Sequence, residues 1–175
     1  AAGAEGRRPR PLMGLAVVHW SAGRHDQAEP LMREALAIQE RTLGPDHPDV
    51  AATLNNLGAL AWMQGRYADA LPLYRRTLAS FERTLGPDHP DVASALNNLG
   101  ETYWKLGRSA EGEPLFRRAL AIKERALAPG HPSVAVTLNG LAGLLRDAGR
   151  TDEAEPLYRR ALAIRERAFG ADHPS

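Results

Sequence analysis

The dipeptide His-Pro stands at residues 47, 89, 131 and 173, each 42 residues after the last. A spacing this strict says that the chain is built from copies of one unit. A unit so short cannot bury a core alone and has to stack on its neighbours. Laid over each other without a gap, HPDVAATLNNLGALAWMQGRYADALPLYRRTLASFERTLGPD (47–88) and HPDVASALNNLGETYWKLGRSAEGEPLFRRALAIKERALAPG (89–130) agree at more than half their positions. Residues 131–172 keep the same register. A diverged copy occupies 5–46, clear from HWSAGRHDQAEPLMREALAIQERTLGPD onward, and 173–175 reads as the start of a further unit. The four copies are expected to form one array over 1–175, and the absence of an initiating Met suggests a piece of a longer protein.

Each unit reads as two helices. Pro48 suits the first helical turn, where its missing N–H is not needed, and Asp49 complements the positive end of the helix dipole. Val50, Leu54, Leu57, Gly58 and Ala61 then recur at helical spacing and give this helix one buried face. Gly65 closes it. The second helix is predicted from Tyr67 to Leu85, with Ala70, Tyr74, Leu78, Phe81 and Leu85 as its apolar stripe and Gly86-Pro87 as its stop. Pro72 recurs as Pro30, Pro114 and Pro156, close enough to the helix start to cost little. Glu29, Glu113 and Glu155 precede Arg33, Arg117 and Arg159 by four residues, the spacing of exposed helix pairs worth a few tenths of a kcal/mol. The expected fold is therefore all-α, an α-solenoid of stacked antiparallel helix pairs with a concave and a convex surface.

Composition excludes several function classes. With 22 basic and 21 acidic residues the net charge is +1, which offers no sustained positive field to a phosphate backbone, so nucleic acid is not an expected partner. No apolar run reaches the roughly 18 residues that a membrane-spanning helix needs. Arg7, Arg8 and Arg10 followed by Leu12 to Val18 superficially resemble a secretory leader, but the apolar stretch is short and meets His19-Trp20 with no small-residue cleavage site. A cytoplasmic protein is expected. The chain has no cysteine, hence no thiolate nucleophile and no zinc–thiolate site.

Leu54, Leu57, Gly58, Gly65, Tyr67, Ala70 and Tyr74, with their counterparts Leu96, Leu99, Gly100, Gly107 and Phe116, resemble the tetratricopeptide repeat signature. The 42-residue period, with LNNLG, AEPLYRRALAI and LGPDHPDV, is similar to the long repeats of kinesin light chains and of many bacterial proteins with such arrays. This resemblance covers nearly everything after residue 11. It implies a right-handed superhelix whose inner groove, lined by each repeat's first helix, binds a peptide or a segment of a partner protein. It also implies that Asn55, Asn97 and Asn139 contact the backbone of the bound chain. Two departures stand out. Ala128 replaces the Gly at the second-helix stop, so the turn there should be less well capped. The first repeat lacks His-Pro and has Met13 and Gly14 where Asn55 and Asn56 stand, which suits an end cap.

Helical geometry gathers Ala52, Asn55, Ala59, Trp62 and Met63 on one side of their helix, away from the apolar stripe. The matching sets are Val17, Trp20 and Ser21; Asn97, Glu101, Trp104 and Lys105; and Asn139, Gly143, Arg146 and Asp147. All three tryptophans thus fall at one repeat position, with Arg146 in the fourth. Indoles beside small residues suggest anchor points for a bound chain, and asparagine amides suit an extended peptide. The other reading has the tryptophans lying flat against neighbouring helices and closing the groove by packing. The groove residues expected to bind are Trp20, Asn55, Trp62, Met63, Asn97, Glu101, Trp104, Lys105, Asn139 and Arg146. The face runs from apolar to charged along the array, so a ligand with an apolar and a charged segment fits.

Nothing in the sequence points to catalysis, a cofactor or a metal. His47, His89, His131 and His173 are a whole repeat apart and read as helix-start residues, while His19 reads as a satisfied or partly exposed core histidine. Zinc-protease, phosphate-loop and nucleophile-elbow motifs are absent. The expected function is a protein-interaction scaffold and not an enzyme. The competing expectations are a structural or self-assembly element, associating through the uncovered last helix around Tyr158, Leu162 and Phe169, and a sensing array of a larger multidomain protein.

Overall fold

The computed structural model describes residues 9–169. The expected features at residues 1–8 and 170–175, including Arg7, Arg8, His173 and the start of a further repeat, lie outside the described residues, as does the Phe169 side chain. Among the described residues there are eight helices and no strand: α1 (Pro9–Ser21), α2 (His25–Leu43), α3 (Pro48–Met63), α4 (Tyr67–Leu85), α5 (Pro90–Lys105), α6 (Ser109–Ala126), α7 (Pro132–Asp147) and α8 (Thr151–Phe169). The fold is an all-α helical repeat solenoid, and the chain divides into two compact units, Ala1–Thr84 and Leu85–Ser175. No helix among the described residues is long and apolar enough to cross a membrane.

The helix starts follow from local chemistry. His47, His89 and His131 sit as N-caps in extended conformation, and each Nδ1 accepts a hydrogen bond from the backbone N–H two residues on, at 3.1 Å in all three. The histidine therefore satisfies a donor that the helix leaves orphaned, and the following proline supplies the first-turn φ. His19 is satisfied and partly exposed, as expected of it. It is only half-buried, and its Nδ1 accepts from Arg24 Nε at 2.9 Å, across the turn into α2.

In the first unit Ala16, Met32, Leu36, Val50, Leu54 and Leu57 form the centre of a core, with Trp20 and Leu73 packed against it. Gly58 allows the Tyr74 ring to approach so closely that a Cβ there would lie 2.8 Å from Tyr74 Cε1. On α4 the buried residues are Ala70, Leu71, Tyr74, Thr77 and Ser80, whereas Leu78 and Phe81 are half-buried and Leu85 is exposed. Thr77 tolerates burial because its hydroxyl donates to Leu73 O at 3.0 Å. In the second unit Phe116, Leu141, Leu144, Leu145 and Ala154 form one cluster, and Val134, Leu138, Ala161 and Ile164 another.

Two local departures have physical causes. At the end of α2, Gly44 takes φ of 87°, and Gly86 does the same after α4. Ala128 cannot adopt that conformation without strain, so α6 stops at Ala126 and the left-handed residue is Gly130, at φ 89°. The glutamates expected to make simple exposed i,i+4 pairs do more. Glu29 binds Arg33 at 2.7 Å and also Arg66 at 2.5 Å, and Glu113 binds Arg117 at 2.8 Å and Arg150 at 2.6 Å. Each tethers one helix pair to the next within its unit. Burial works against the charge of Glu29, but the hydrogen bonds from Arg33 and Arg66 outweigh it and hold its carboxyl below the usual range. For Glu113 the Arg150 hydrogen bond dominates, in the same direction.

Candidate functional site

The expected groove residues divide between the units. In the first, Trp20 is half-buried against the core, Asn55 is half-buried and Met63 is exposed. Trp62 meets Tyr67 edge-on, with ring centroids 5.7 Å apart, and its Nε1 is buried with no hydrogen-bond partner among the described residues. Trp20 and Trp62 thus have one surface in the protein and one towards solvent.

The second unit brings more of these side chains together. On α5, Asn97 is only 5% exposed, and its Nδ2 donates to Glu101 Oε1 at 3.1 Å, one helical turn on. The Asn97 Oδ1 is buried and accepts no hydrogen bond from the described residues. Burial pushes the Glu101 carboxyl up, against the opposing pull of Asn97, Lys105 and Lys123. Trp104 lies against α7. A Cβ at Gly143 would be 2.5 Å from Trp104 Cη2, so only glycine admits the ring there. Its Nε1 donates to Asp147 Oδ2 at 3.1 Å, and Lys105 Nζ sits 5.2 Å from the ring centroid. Asp147 also accepts from Arg146 at 2.8 Å, which chiefly holds its pKa down. Lys105 and Arg146 are exposed, and Asn139 is half-buried on α7.

Beneath this face lies a residue that the sequence reading missed. Lys123 of α6 is 4% exposed. Its ammonium donates to Thr137 Oγ1 at 2.9 Å and to Ser133 O at 3.2 Å, both on α7. Burial lowers its pKa, and the field of Glu101 resists that. The signal for its burial was in the repeat column, where Gln39 and Phe81 occupy the equivalent positions. Asn97, Glu101, Lys123 and Thr137 make a polar seam that links α5, α6 and α7. Among the described residues no three acidic or histidine side chains are grouped to hold a metal ion. What the seam can do is donate and accept hydrogen bonds at fixed positions.

The tetratricopeptide repeat profile matches residues 8–83, 50–125 and 134–175. The chain belongs to the tetratricopeptide repeat family. Its repeats are of the kinesin-light-chain-like type. It is similar to a Podosopora anserina protein of kinesin-light-chain type with nearly identical TPR-like repeats, at 25% identity over 97% of this chain and 80% of that one, with a TM-score of 0.79. It is also similar to BtubC (BKLC) from P. vanneervenii, at 28% identity over 98% of this chain and 69% of that one, TM-score 0.83. MamA, at 19% identity over 94% of this chain and 82% of that one, shares the fold with a TM-score of 0.70. Proteins of this family generally mediate protein–protein interaction or scaffolding, and the fold is typically non-enzymatic.

Proposed function

We propose that the chain is a scaffold that holds an extended segment of a partner protein against its first helices, with α5 and α7 carrying the polar part of the site. The reading is supported by one observation above the others. Asn97 Oδ1 is a buried acceptor with no donor among the described residues, beside an exposed lysine and a half-buried glutamate. Buried polar atoms are nearly always paired, so an amide N–H of a bound backbone is a fitting donor once the Asn97 side chain turns its oxygen outward to meet it. Asn139 and Arg146 extend the same face along α7. In the first unit Trp20, Trp62 and Met63 offer an apolar surface beside the Asn55 amide, suited to an apolar segment of a partner. Trp104, wedged on Gly143 and bonded to Asp147, serves as a wall of the site more than as a free anchor.

The test is to pan a random displayed-peptide library against the whole chain and measure the selected peptides by calorimetry. Asn97→Leu keeps the size of the side chain and removes both amide partners. It should weaken the selected peptides by about 1 to 2 kcal/mol, the value of a buried hydrogen bond, while leaving thermal unfolding nearly unchanged. Peptides that bind this variant and a Trp62→Ala variant as well as the parent chain would remove the proposal.

A further inference from the structure

Glu101 stands four residues before Lys105 on α5, the favourable order for an ion pair on a helix, and yet the two do not pair. The Lys105 ammonium lies over the Trp104 ring instead, 5.2 Å from its centroid. Lys123, whose field reaches the carboxyl from α6, commits its ammonium to Thr137 Oγ1 at 2.9 Å and Ser133 O at 3.2 Å. Arg146, the other cation of this face, is held by Asp147 at 2.8 Å. No charge on α7 acts on the Glu101 carboxyl.

The carboxyl is left with one donor among the described residues, Asn97 Nδ2, which reaches Oε1 at 3.1 Å. Its other oxygen, Oε2, accepts from none of them. Glu29 and Glu113 show how this chain otherwise treats a carboxylate partly withdrawn from water, since each holds two guanidinium groups. Glu101 is half-buried and holds none. Burial raises its pKa, and Asn97, Lys105 and Lys123 offset that only in part, whereas for Glu29 and Glu113 the arginines prevail and the pKa falls.

We infer that the partner segment bound on α5 and α7 presents a basic side chain, lysine or arginine, to Glu101. This rests on the scaffold reading above and names the chemistry of its ligand. A guanidinium or an ammonium brings N–H donors to Oε2, and it brings positive charge to a place where the protein's own cations are engaged elsewhere. A carboxylate from the partner would add negative charge beside an open carboxylate oxygen, so an acidic residue is disfavoured at this position.

The probes are the peptides selected from the random displayed library on the whole chain. They should be enriched in Lys or Arg at one position, and the tightest of them is resynthesised with that residue replaced by Gln. The replacement should weaken binding to the parent chain by about tenfold, the worth of a charge-assisted hydrogen bond. Glu101→Gln keeps an acceptor for Asn97 Nδ2 and removes the charge, and it should weaken the original peptide by a similar factor. Both changes together should cost little more than either alone, the mark of a direct pair. Glu101→Asp, which draws the carboxylate back by one methylene and keeps its charge beside Lys123, should give a smaller loss of the same kind, and circular dichroism checks that both variants are folded. Peptides that lose affinity for Asn97→Leu yet bind Glu101→Gln as tightly as the parent overturn the inference and leave the scaffold reading standing. So do selected peptides rich in Asp or Glu and without basic residues, or a cycle in which the two losses simply add. Peptides indifferent to Asn97→Leu, Trp62→Ala and Glu101→Gln alike overturn both.

Discussion

Gln39 with Thr53 in the first unit and Lys123 with Thr137 in the second are the same two repeat positions, 84 residues apart, and they solve one packing problem in opposite electrical ways. In the first unit the Thr53 hydroxyl donates to Gln39 Oε1 at 2.8 Å, and the pair is neutral. In the second the Thr137 hydroxyl turns round and accepts from an ammonium. A hydroxyl can do either, so the backbone need not change. What changes is the neighbour on the preceding helix. Val17 stands in α1 where Glu101 stands in α5. A buried charge without a counter-charge is costly, and among the described residues the buried Lys123 stands where the carboxylate is also present.

The largest test of that pairing is to move the charge. Gln39→Lys puts an ammonium into the first unit without a carboxylate, and it should lower unfolding free energy by about 3 kcal/mol in urea titrations. Adding Val17→Glu should recover part of the loss. Full recovery by Val17→Ala as well would show that the carboxylate is irrelevant. A smaller effect separates the two threonines. Thr137→Val leaves the Lys123 ammonium short of an acceptor and should cost about 2 kcal/mol, whereas Thr53→Val should cost about 1 kcal/mol, and equal losses would dissolve the distinction.

The smallest effect is in pH. Glu113 has a depressed folded pKa, so its contribution to stability is present above the usual carboxylate pKa and is lost as pH falls through the folded value. Glu101 has a raised pKa and contributes in the opposite sense, its favourable term present below the unfolded pKa and fading as pH rises through the folded one. Between neutral and acid pH, Glu113→Gln should therefore flatten the decline in melting temperature, and Glu101→Gln should steepen it.

Most of the architecture was legible because each copy of the repeat corroborates the others. The α3 start at Pro48 and the α4 span Tyr67–Leu85 coincide with the residues read from proline, glycine and apolar spacing. The face carrying Asn97, Glu101 and Trp104 was legible as a face, since one helix's geometry fixes it. What one helix cannot report is which of its polar residues the next helix pair will cover. Lys123 reads as a surface lysine in AIKERAL until α7 lies over it, and Glu29 and Glu113 read as local pairs until Arg66 and Arg150 reach them. The fate of Trp104 likewise turned on a glycine 39 residues away. Polar burial here is a property of stacking, and it shows in a single sequence only through odd members of a column, as Phe81 does beside Gln39 and Lys123.

The turn after α6 has a consequence for how this array tolerates change. Its left-handed residue, Gly130, takes the place that Asp46 and Asp88 hold elsewhere, and those aspartates brace their turns to Arg83 and Arg125. Without that brace, and with a cleft of about 380 Å³ beneath Leu127, Ala128 and Pro129, this connection is the joint at which extra residues could be spliced in while the helices on either side keep their phase.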